Sequence, residues 1–392
     1  MDMFWKSKNW ELNDKHFRSL EQAPFRRKLP MPQISPGVTL IRGPRQIGKS
    51  TWLKLLLQHH VKRGDSCFFY TCEDLEDYRD LSELLKSQKG TRYFFLDEVT
   101  FVKEWWRAIK KIVDTDADVC LVLTGSNSYD LRQGLDLMPG RWSPTAGELS
   151  LLPMPFEEWS EMRLQARWPT LPLLEGLRAY MRVGGFPAAM AEAGAKAMTP
   201  THALHTYQRW IMGDVIKLGR QEAFMKELLV QLVKTMGSSI SLQKLAQKTQ
   251  LMSYHTVQDY ISILEHAFAL RTVYAYDPET DTFRFKKEKK FYFTDPIVYW
   301  AVLDLAGISA TPDHEEQMAE MLAAEWLSRR YKRMGYYSSQ NGEVDFISEK
   351  KWAVEIKWAN AVHNLSKAYK NLHIAHKSVW FQGHFFRDPN RS

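Results

Sequence analysis

Cysteine is scarce in this chain of 392 residues, which contains only Cys67, Cys72 and Cys120. The number is odd and no Cys-x-x-Cys spacing occurs, which argues against a disulfide framework and against a cysteine zinc site. No apolar run approaches the roughly 18 residues that a membrane span requires. The first residues also lack the basic and apolar regions of a secretory signal peptide. These absences predict a cytoplasmic protein that does not contact a membrane.

The composition is that of folded globular domains. Hydrophobic residues make up 44% of the chain and charged residues 25%, and 14 residues are Trp. These values exclude intrinsic disorder, collagen-like sequence and coiled coil. The length exceeds one ordinary core and predicts roughly two to three domains. The 53 basic and 46 acidic residues give a net charge of +7, which permits nucleic-acid binding without establishing it.

Short apolar runs alternate with helical segments from residue 37 onwards. The predicted strands are Val38–Arg42, Cys67–Thr71, Tyr93–Asp97 and Val119–Thr124. Strands separated by helices predict an α/β fold with a parallel sheet. We therefore expect an N-terminal helix and linker (1–36), an α/β core (37–160), a helical region (161–235), a winged-helix-like domain (236–310) and a second α/β domain (311–392).

A glycine-rich loop follows the first predicted strand and fits the pattern G-x-x-x-x-G-K-[ST]. Its glycines let successive backbone N–H groups face phosphate oxygens, Lys49 brings a cation to the β and γ phosphates, and Ser50 offers a hydroxyl to Mg²⁺. The loop also opens a helix, whose N-terminus favours an anion. The residues predicted to bind the nucleotide, ATP with Mg²⁺, are Gly43, Pro44, Arg45, Gln46, Ile47, Gly48, Lys49, Ser50 and Thr51.

Polar residues near the ends of the next strands complete the predicted nucleotide site. Asp97 is predicted to hold Mg²⁺ together with Ser50, and Glu98 to orient or deprotonate the attacking water. Ser126 is predicted to contact the γ-phosphate or the water, with a plain turn as the alternative. Arg141 either stabilises the transition state in an adjacent subunit, which requires a homo-oligomer, or forms a surface salt bridge.

These motifs together resemble bacterial and archaeal AAA-type ATPases that carry a C-terminal domain of unknown function. The matching stretches are Gly-Pro-Arg-Gln-Ile-Gly-Lys-Ser-Thr (43–51), Phe-Leu-Asp-Glu-Val (95–99), Trp105, Thr-Gly-Ser-Asn-Ser (124–128), Gly-Arg (140–141), Leu-Pro-Met-Pro-Phe-Glu-Glu-Trp (152–159) and Gly-Gly-Phe-Pro (184–187). Pro-Met-Pro-Phe at 153–156 departs from the Pro-Leu-Ser-Phe usual in that family. The resemblance extends to near residue 360. It implies an AAA-type P-loop NTPase core, a winged-helix portion and a restriction-endonuclease-like end.

Two helices and a strand between residues 241 and 275 indicate a helix-turn-helix with a wing. The second helix would expose His255, Gln258, Asp259 and Ser262, and it contains neither Lys nor Arg. DNA-reading helices usually carry such cations, so direct base readout has little support. The basic run at 284–290 is either a wing that contacts DNA phosphates or a solvated face.

Acidic residues and a lysine recur on a predicted hairpin near the C-terminus. Glu355 and Lys357 lie on one face because the side-chain period of a strand is two, and Asp345 can join them across the ladder. The pattern resembles the PD-(D/E)xK nucleases, with Glu320 on the preceding helix as a further ligand. A second divalent metal held by Asp345, Glu355 and Glu320, with Lys357 near the attacking water, would serve phosphodiester hydrolysis. The alternative is a solvated hairpin.

The sequence thus predicts an ATP-binding and ATP-hydrolysing protein. In the first interpretation, its nucleotide state controls a C-terminal domain that acts on DNA as a metal-dependent nuclease. In the alternative, the protein is an ATP-driven switch or scaffold whose C-terminal domains only bind protein or DNA. A nuclease fold can persist after its chemistry is lost, so both interpretations stay open.

Overall fold

The chain divides into two units, Met1–Leu152 and Pro153–Ser392. The computed structural model describes residues 4–7, 9–125, 130–131, 134, 136–249, 253–277, 279–349, 352–358, 365–372 and 376–380. Within these ranges, no helix is long and apolar enough to cross a bilayer.

The first unit is built on a parallel sheet of five strands. These are β1 (Gly37–Arg42), β2 (Cys67–Thr71), β3 (Tyr93–Asp97), β4 (Cys120–Thr124) and β5 (Glu148–Ser150). They lie in the order β2-β3-β4-β1-β5, and every neighbouring pair is parallel. Both faces of the inner strands are buried, which explains why these strands are continuous apolar runs in the sequence. The predicted α/β class with a parallel sheet is confirmed.

Helices and short 3₁₀ turns surround this sheet. The described helices are α1 (Lys15–Gln22), α2 (Lys49–Lys62), α3 (Tyr78–Ser87) and α4 (Trp105–Thr115), and the 3₁₀ turns are Phe4–Lys6, Trp10–Leu12, Cys72–Asp74 and Val99–Phe101. Helix α2 begins directly after the glycine loop. The carboxylate of Asp14 caps α1 by accepting a hydrogen bond from the His16 N–H at 2.8 Å. The N-terminal region therefore has a defined helix start.

The second unit begins with helices. Its described helices are α5 (Phe156–Gln165), α6 (Leu173–Val183), α7 (Pro187–Ala193), α8 (Thr201–Lys217), α9 (Glu222–Lys234), α10 (Leu242–Lys248), α11 (Tyr254–His266), α12 (Pro296–Ala306), α13 (His314–Arg330) and α14 (Lys367–Asn371). The turn between α6 and α7 requires glycine. Gly184 has a φ of +78°, and a Cβ there would lie 2.1 Å from a carboxylate oxygen of Asp295. The other oxygen of that carboxylate accepts a hydrogen bond from the Gly185 N–H at 2.8 Å.

A mixed six-stranded sheet follows. Its strands are β6 (Leu270–Asp277), β7 (Thr282–Phe293), β8 (Met334–Ser339), β9 (Gly342–Ser348), β10 (Trp352–Ile356) and β11 (His376–Trp380), in the order β11-β10-β9-β8-β6-β7. Helices α10 and α11 precede β6, as expected. The strand predicted to belong to a wing is part of a sheet that it shares with β8–β11.

Strand β7 lies at the edge of this sheet and contains a bulge. Tyr274 pairs with Lys289 and Ala275 pairs with Arg284, so residues 285–288 have no partner in β6. Lys290 was grouped above with this basic run, but its side chain is only 1% exposed. The reason is the period of two along a strand, which places Lys290 on the inner face with Tyr292.

A buried carboxylate joins α13 to β6. Glu325 Oε2 accepts hydrogen bonds from Arg271 Nη2 at 2.8 Å and from Arg271 Nε at 3.1 Å, and Oε1 accepts one from Arg329 Nε at 2.9 Å. Burial alone would raise the pKa of Glu325, but the two guanidinium groups outweigh it, so the pKa is lower than usual.

Replacing Glu325 by Gln is expected to lower the free energy of unfolding by about 2 to 4 kcal/mol at pH 7, because two guanidinium groups lose their counter-charge. A carboxyl whose pKa is lower in the folded state stabilises above its ordinary pKa of 4.5, and this stabilisation is lost as the pH falls further. Chemical denaturation of the full chain at pH 7 and pH 4 checks this. A difference between wild type and variant that does not shrink at pH 4 would contradict the prediction.

Candidate functional site

The glycine loop between β1 and α2 is a tight curl of backbone. Gly43 has a φ of +155°, and a Cβ there would lie 2.1 Å from the carbonyl oxygen of Leu151. Only glycine fits this approach of two backbone segments. Gly48 has a φ of +106° and directly precedes the first turn of α2. The loop thus presents the N–H groups of a helix start, which favour an anion.

Lys49 is buried within this curl. Its Nζ donates hydrogen bonds to the carbonyl oxygens of Gly43 at 3.0 Å and Pro44 at 2.9 Å. The ammonium therefore lies against the same loop whose N–H groups can face phosphate oxygens.

Three oxygen-bearing side chains converge next to the loop. The hydroxyl of Ser50 donates to Asp97 Oδ1 at 3.1 Å, and the hydroxyl of Thr124 donates to the same oxygen. Asp97 and Thr124 end the adjacent parallel strands β3 and β4, so their side chains meet at one edge of the sheet. A carboxylate and a hydroxyl are ligands that Mg²⁺ prefers, so these residues fit the predicted ion. Thr124 was not predicted because it ends an apolar strand.

Glu98, the residue after Asp97, has an uncommon backbone conformation. Its φ of 54° and ψ of 42° are left-handed, which costs a residue with a side chain about 1 kcal/mol or more. Its N–H donates to Thr124 Oγ1 at 3.2 Å, so the same threonine holds both acidic residues. Strained backbone of this kind is concentrated at functional sites.

The two remaining predicted residues lie elsewhere. Arg141 binds Asp114 through two hydrogen bonds of 2.7 and 2.9 Å, and its carbonyl oxygen accepts from the Val38 N–H at the start of β1. The loop begins at the other end of β1, about 16 Å away at roughly 3.3 Å per residue. Arg141 is therefore not part of the glycine-loop site of its own chain. Ser126 lies outside the described residues.

In the second unit, the structure brings together the predicted hairpin residues. The register of β9 and β10 places Asp345 opposite Glu355, and Asp345 Oδ2 accepts from the Ile356 N–H at 2.8 Å. Lys357 Nζ lies 3.1 Å from Glu355 Oε1. Glu355 Oε2 is buried and has no hydrogen-bond partner among the described residues.

Glu320 and Lys290, a lysine that was not predicted at this site, complete the group. We call it the carboxylate cluster, and its members are Lys290, Glu320, Glu343, Asp345, Glu355 and Lys357. Lys290 Nζ lies 2.6 Å from Glu343 Oε1 and 3.5 Å from Asp345 Oδ1. Glu320 Oε2 accepts a hydrogen bond from the Tyr292 hydroxyl at 3.0 Å. Burial and the Asp345 charge raise the pKa of Glu320 to about 8, whereas the surrounding carboxylates raise the pKa of Lys290 despite its burial.

This cluster does not fit the predicted second metal ion. Across the part of the chain that the structure describes, no three His, Cys, Asp or Glu side chains are grouped so that they could hold a metal. Asp345 faces the Lys290 ammonium and Glu355 faces the Lys357 ammonium, while Glu320 is bonded to Tyr292. Ammonium groups of the protein therefore already neutralise two of the carboxylates that were predicted to bind the ion.

Two family models match the chain. Residues 35–160 match an AAA domain, and residues 174–309 match a domain of unknown function (DUF8612). An uncharacterized protein of Haemophilus influenzae is 24% identical over 381 residues, which cover 89% of this chain and 90% of that protein. The uncharacterized protein MJ1544 of Methanocaldococcus jannaschii is 22% identical over 336 residues, which cover 79% of this chain and 71% of that protein. The AAA-domain match supports an AAA-type P-loop ATPase that binds ATP.

Solved structures give weaker similarities. The Walker-type ATPase PABY2304 of Pyrococcus abyssi has a TM-score of 0.45 at 15% identity, covering 74% of this chain and 93% of that one. The Aeropyrum pernix ORC1 protein, solved in complex with DNA, has a TM-score of 0.35 at 11% identity, and the match covers 69% of this chain and 87% of that one.

Proposed function

We propose that the first unit hydrolyses ATP and that its nucleotide state controls a second unit that binds DNA. The convergence of Ser50, Asp97 and Thr124 beside the glycine loop carries the ATPase part of this proposal. The match of residues 35–160 to an AAA domain supports ATP as the nucleotide.

The loop supplies the phosphate contacts. Backbone N–H groups of residues 43–51 would donate to phosphate oxygens, and Lys49 would exchange the carbonyls of Gly43 and Pro44 for the β and γ phosphates. Ser50 and Asp97 would hold Mg²⁺. The bound ion would neutralise the charge that develops on the phosphate oxygens.

Glu98 is the proposed base. It would accept a proton from the water whose oxygen bonds to the γ-phosphorus, while the bond from that phosphorus to the bridging oxygen breaks to release ADP. The hydrogen bond from its N–H to Thr124 keeps its backbone fixed beside Asp97. Ser126 remains the proposed contact to the γ-phosphate. Arg141 would act on the nucleotide of an adjacent subunit, and only after leaving Asp114.

DNA phosphates are the proposed ligand of the β7 bulge. Lys286 and Lys287 are exposed in this bulge, and Phe285 between them and Arg284 is 64% exposed. Cations beside an exposed aromatic ring suit a phosphate backbone and its bases. Helix α11 is a weaker candidate for DNA contact, because it carries no Lys or Arg and its Asp259 pairs with Arg220. We retain a winged-helix arrangement of α10, α11 and β6 as a proposal.

For the domain that contains the carboxylate cluster, we propose that it binds DNA without cleaving it. The order of α13, β9 and β10 supports a restriction-endonuclease-like fold. The unpartnered oxygen of Glu355 beside Lys357 favours the second candidate, phosphodiester hydrolysis. The ammonium of Lys290 against Glu343 and Asp345 favours a fold that has lost this chemistry.

One set of assays tests these roles. ATP hydrolysis, DNA binding and plasmid cleavage are measured in Mg²⁺ or Mn²⁺ for wild type, Lys49→Ala and Lys357→Ala. We expect ATP hydrolysis that Lys49→Ala abolishes and Lys357→Ala spares, with DNA binding that weakens as salt rises and no cleavage. Cleavage that Lys357→Ala abolishes would establish the nuclease instead. A wild type that does not hydrolyse ATP would refute the ATPase.

A further inference from the structure

His16 contacts the phosphate loop from a distant part of the sequence. Its Nδ1 lies 3.1 Å from Thr51 Oγ1, although the two residues are 35 positions apart. Thr51 directly follows Lys49 and Ser50 and lies in the first turn of α2. An anion bound at the start of α2 can accept hydrogen bonds from the N–H groups and hydroxyls of this turn.

A buried ion pair fixes the position of His16. Asp14 accepts the His16 N–H and also pairs with the ammonium of Lys54, and the two paired side chains are only 7% and 10% exposed. Lys54 lies three residues after Thr51 and so projects from the same face of α2. The start of α1 is therefore held against the first turns of α2.

Aromatic packing holds the rest of the N-terminal segment. The ring of Phe4 makes edge contacts with Trp10 at 5.3 Å and with Phe69 of β2 at 5.5 Å between centroids. The indole N–H of Trp5 donates to the carbonyl of Cys67 at 3.2 Å. The segment thus packs against the edge of the sheet, and this packing helps to fix the position of His16.

The hydroxyl of Thr51 has a single hydrogen to donate. If His16 accepted that hydrogen, a phosphate oxygen could not. A neutral imidazole with its hydrogen on Nδ1 leaves the hydroxyl hydrogen free. Burial and the Lys54 ammonium lower the pKa of His16, against the opposing charges of Asp14 and Asp97, while Lys15 lowers it further. This favours the neutral ring at pH 7.

We propose that His16 is a positioning residue of the nucleotide site, which donates from Nδ1 to Thr51 Oγ1 and thereby directs the Thr51 hydroxyl to the α-phosphate of a bound nucleotide. The inference rests on the proposed nucleotide function of the loop. It adds the N-terminal segment to a site that the motif confines to residues 43–51.

The test is the affinity of the full chain for ADP with Mg²⁺, measured by titration calorimetry. His16→Leu is expected to weaken ADP binding about 5- to 10-fold, the effect of one hydrogen bond. His16→Asn, whose amide N–H can replace Nδ1–H, should bind within about twofold of wild type. His59→Leu makes the same change at an exposed histidine of α2 and should leave the affinity unchanged.

A double-mutant cycle shows whether His16 acts through Thr51. Thr51→Val removes the hydroxyl, and adding His16→Leu to it should then weaken binding no further. Wild-type affinity in His16→Leu, or independent multiplicative losses in the double variant, would overturn the inference. A wild type that does not bind ADP would refute the proposed function as well, whereas a binding wild type with an unaffected His16→Leu would refute this inference alone.

Discussion

Replacing Glu98 by Gln is expected to lower the turnover number for ATP by about 10²- to 10⁴-fold, with little change in the affinity for ATP. The amide keeps the size of the side chain but cannot accept a proton from water. The backbone bond to Thr124 does not depend on the side chain, so the loop should keep its shape. Phosphate release at saturating ATP and calorimetric binding of ATP measure the two effects separately.

The left-handed backbone of Glu98 offers a matched variant. Glu98→Gly should lose turnover to the same extent, but it should raise the free energy of unfolding by up to about 1 kcal/mol, because glycine adopts a φ of 54° without steric cost. Higher stability with lower turnover would mean that strain is retained for function. Wild-type turnover in Glu98→Gln would assign water activation to another group.

Replacing Lys290 by Met is expected to lower the free energy of unfolding by about 3 to 5 kcal/mol. The change keeps the length of the side chain but removes the ammonium that faces Glu343 and Asp345. Glu343 and the more buried Asp345 would then repel each other, with Glu320 nearby. Chemical denaturation of the full chain at pH 7 measures the loss.

Lys287→Met is the control for this experiment, since Lys287 is an exposed lysine of the same strand and should change stability by less than about 0.5 kcal/mol. A thermal-shift titration with Mn²⁺ adds a second readout. Wild type should not be stabilised. Stabilisation of wild type by Mn²⁺ that Asp345→Asn abolishes would show that a metal binds in spite of Lys290.

The glycine loop and the acidic residues beside it could be predicted because each is a short local pattern in the sequence. The loop occupies consecutive residues, and Ser50 meets Asp97 because both lie at the edge where parallel strands end. Thr124 was missed because its hydroxyl ends a buried apolar strand and carries no signal of its own. Arg141 was predicted either to act in another subunit or to form a surface salt bridge, and within its own chain it pairs with Asp114.

The second unit shows what sequence patterns leave out. Lys290 lies in a run of cations, which suggests solvent, and its burial depends on β9 and α13, whose residues come much later in the chain. Alternation along a strand tells which residues share a face but not which face is covered. The contact of His16 with Thr51 likewise depends on how α1 docks, and no spacing predicts that.

The bulge in β7 also bears on how copies of this chain behave towards one another. An outer strand exposes unpaired N–H and C=O groups that another strand can join, the first step of aggregation. Residues 285–288 leave the regular ladder, and Lys286 and Lys287 there repel a second copy. Beyond the bulge, Ile240 pairs with Lys289 through two hydrogen bonds of 2.9 Å and covers part of the open edge. This edge of the sheet can therefore face water without pairing with a strand of a second copy.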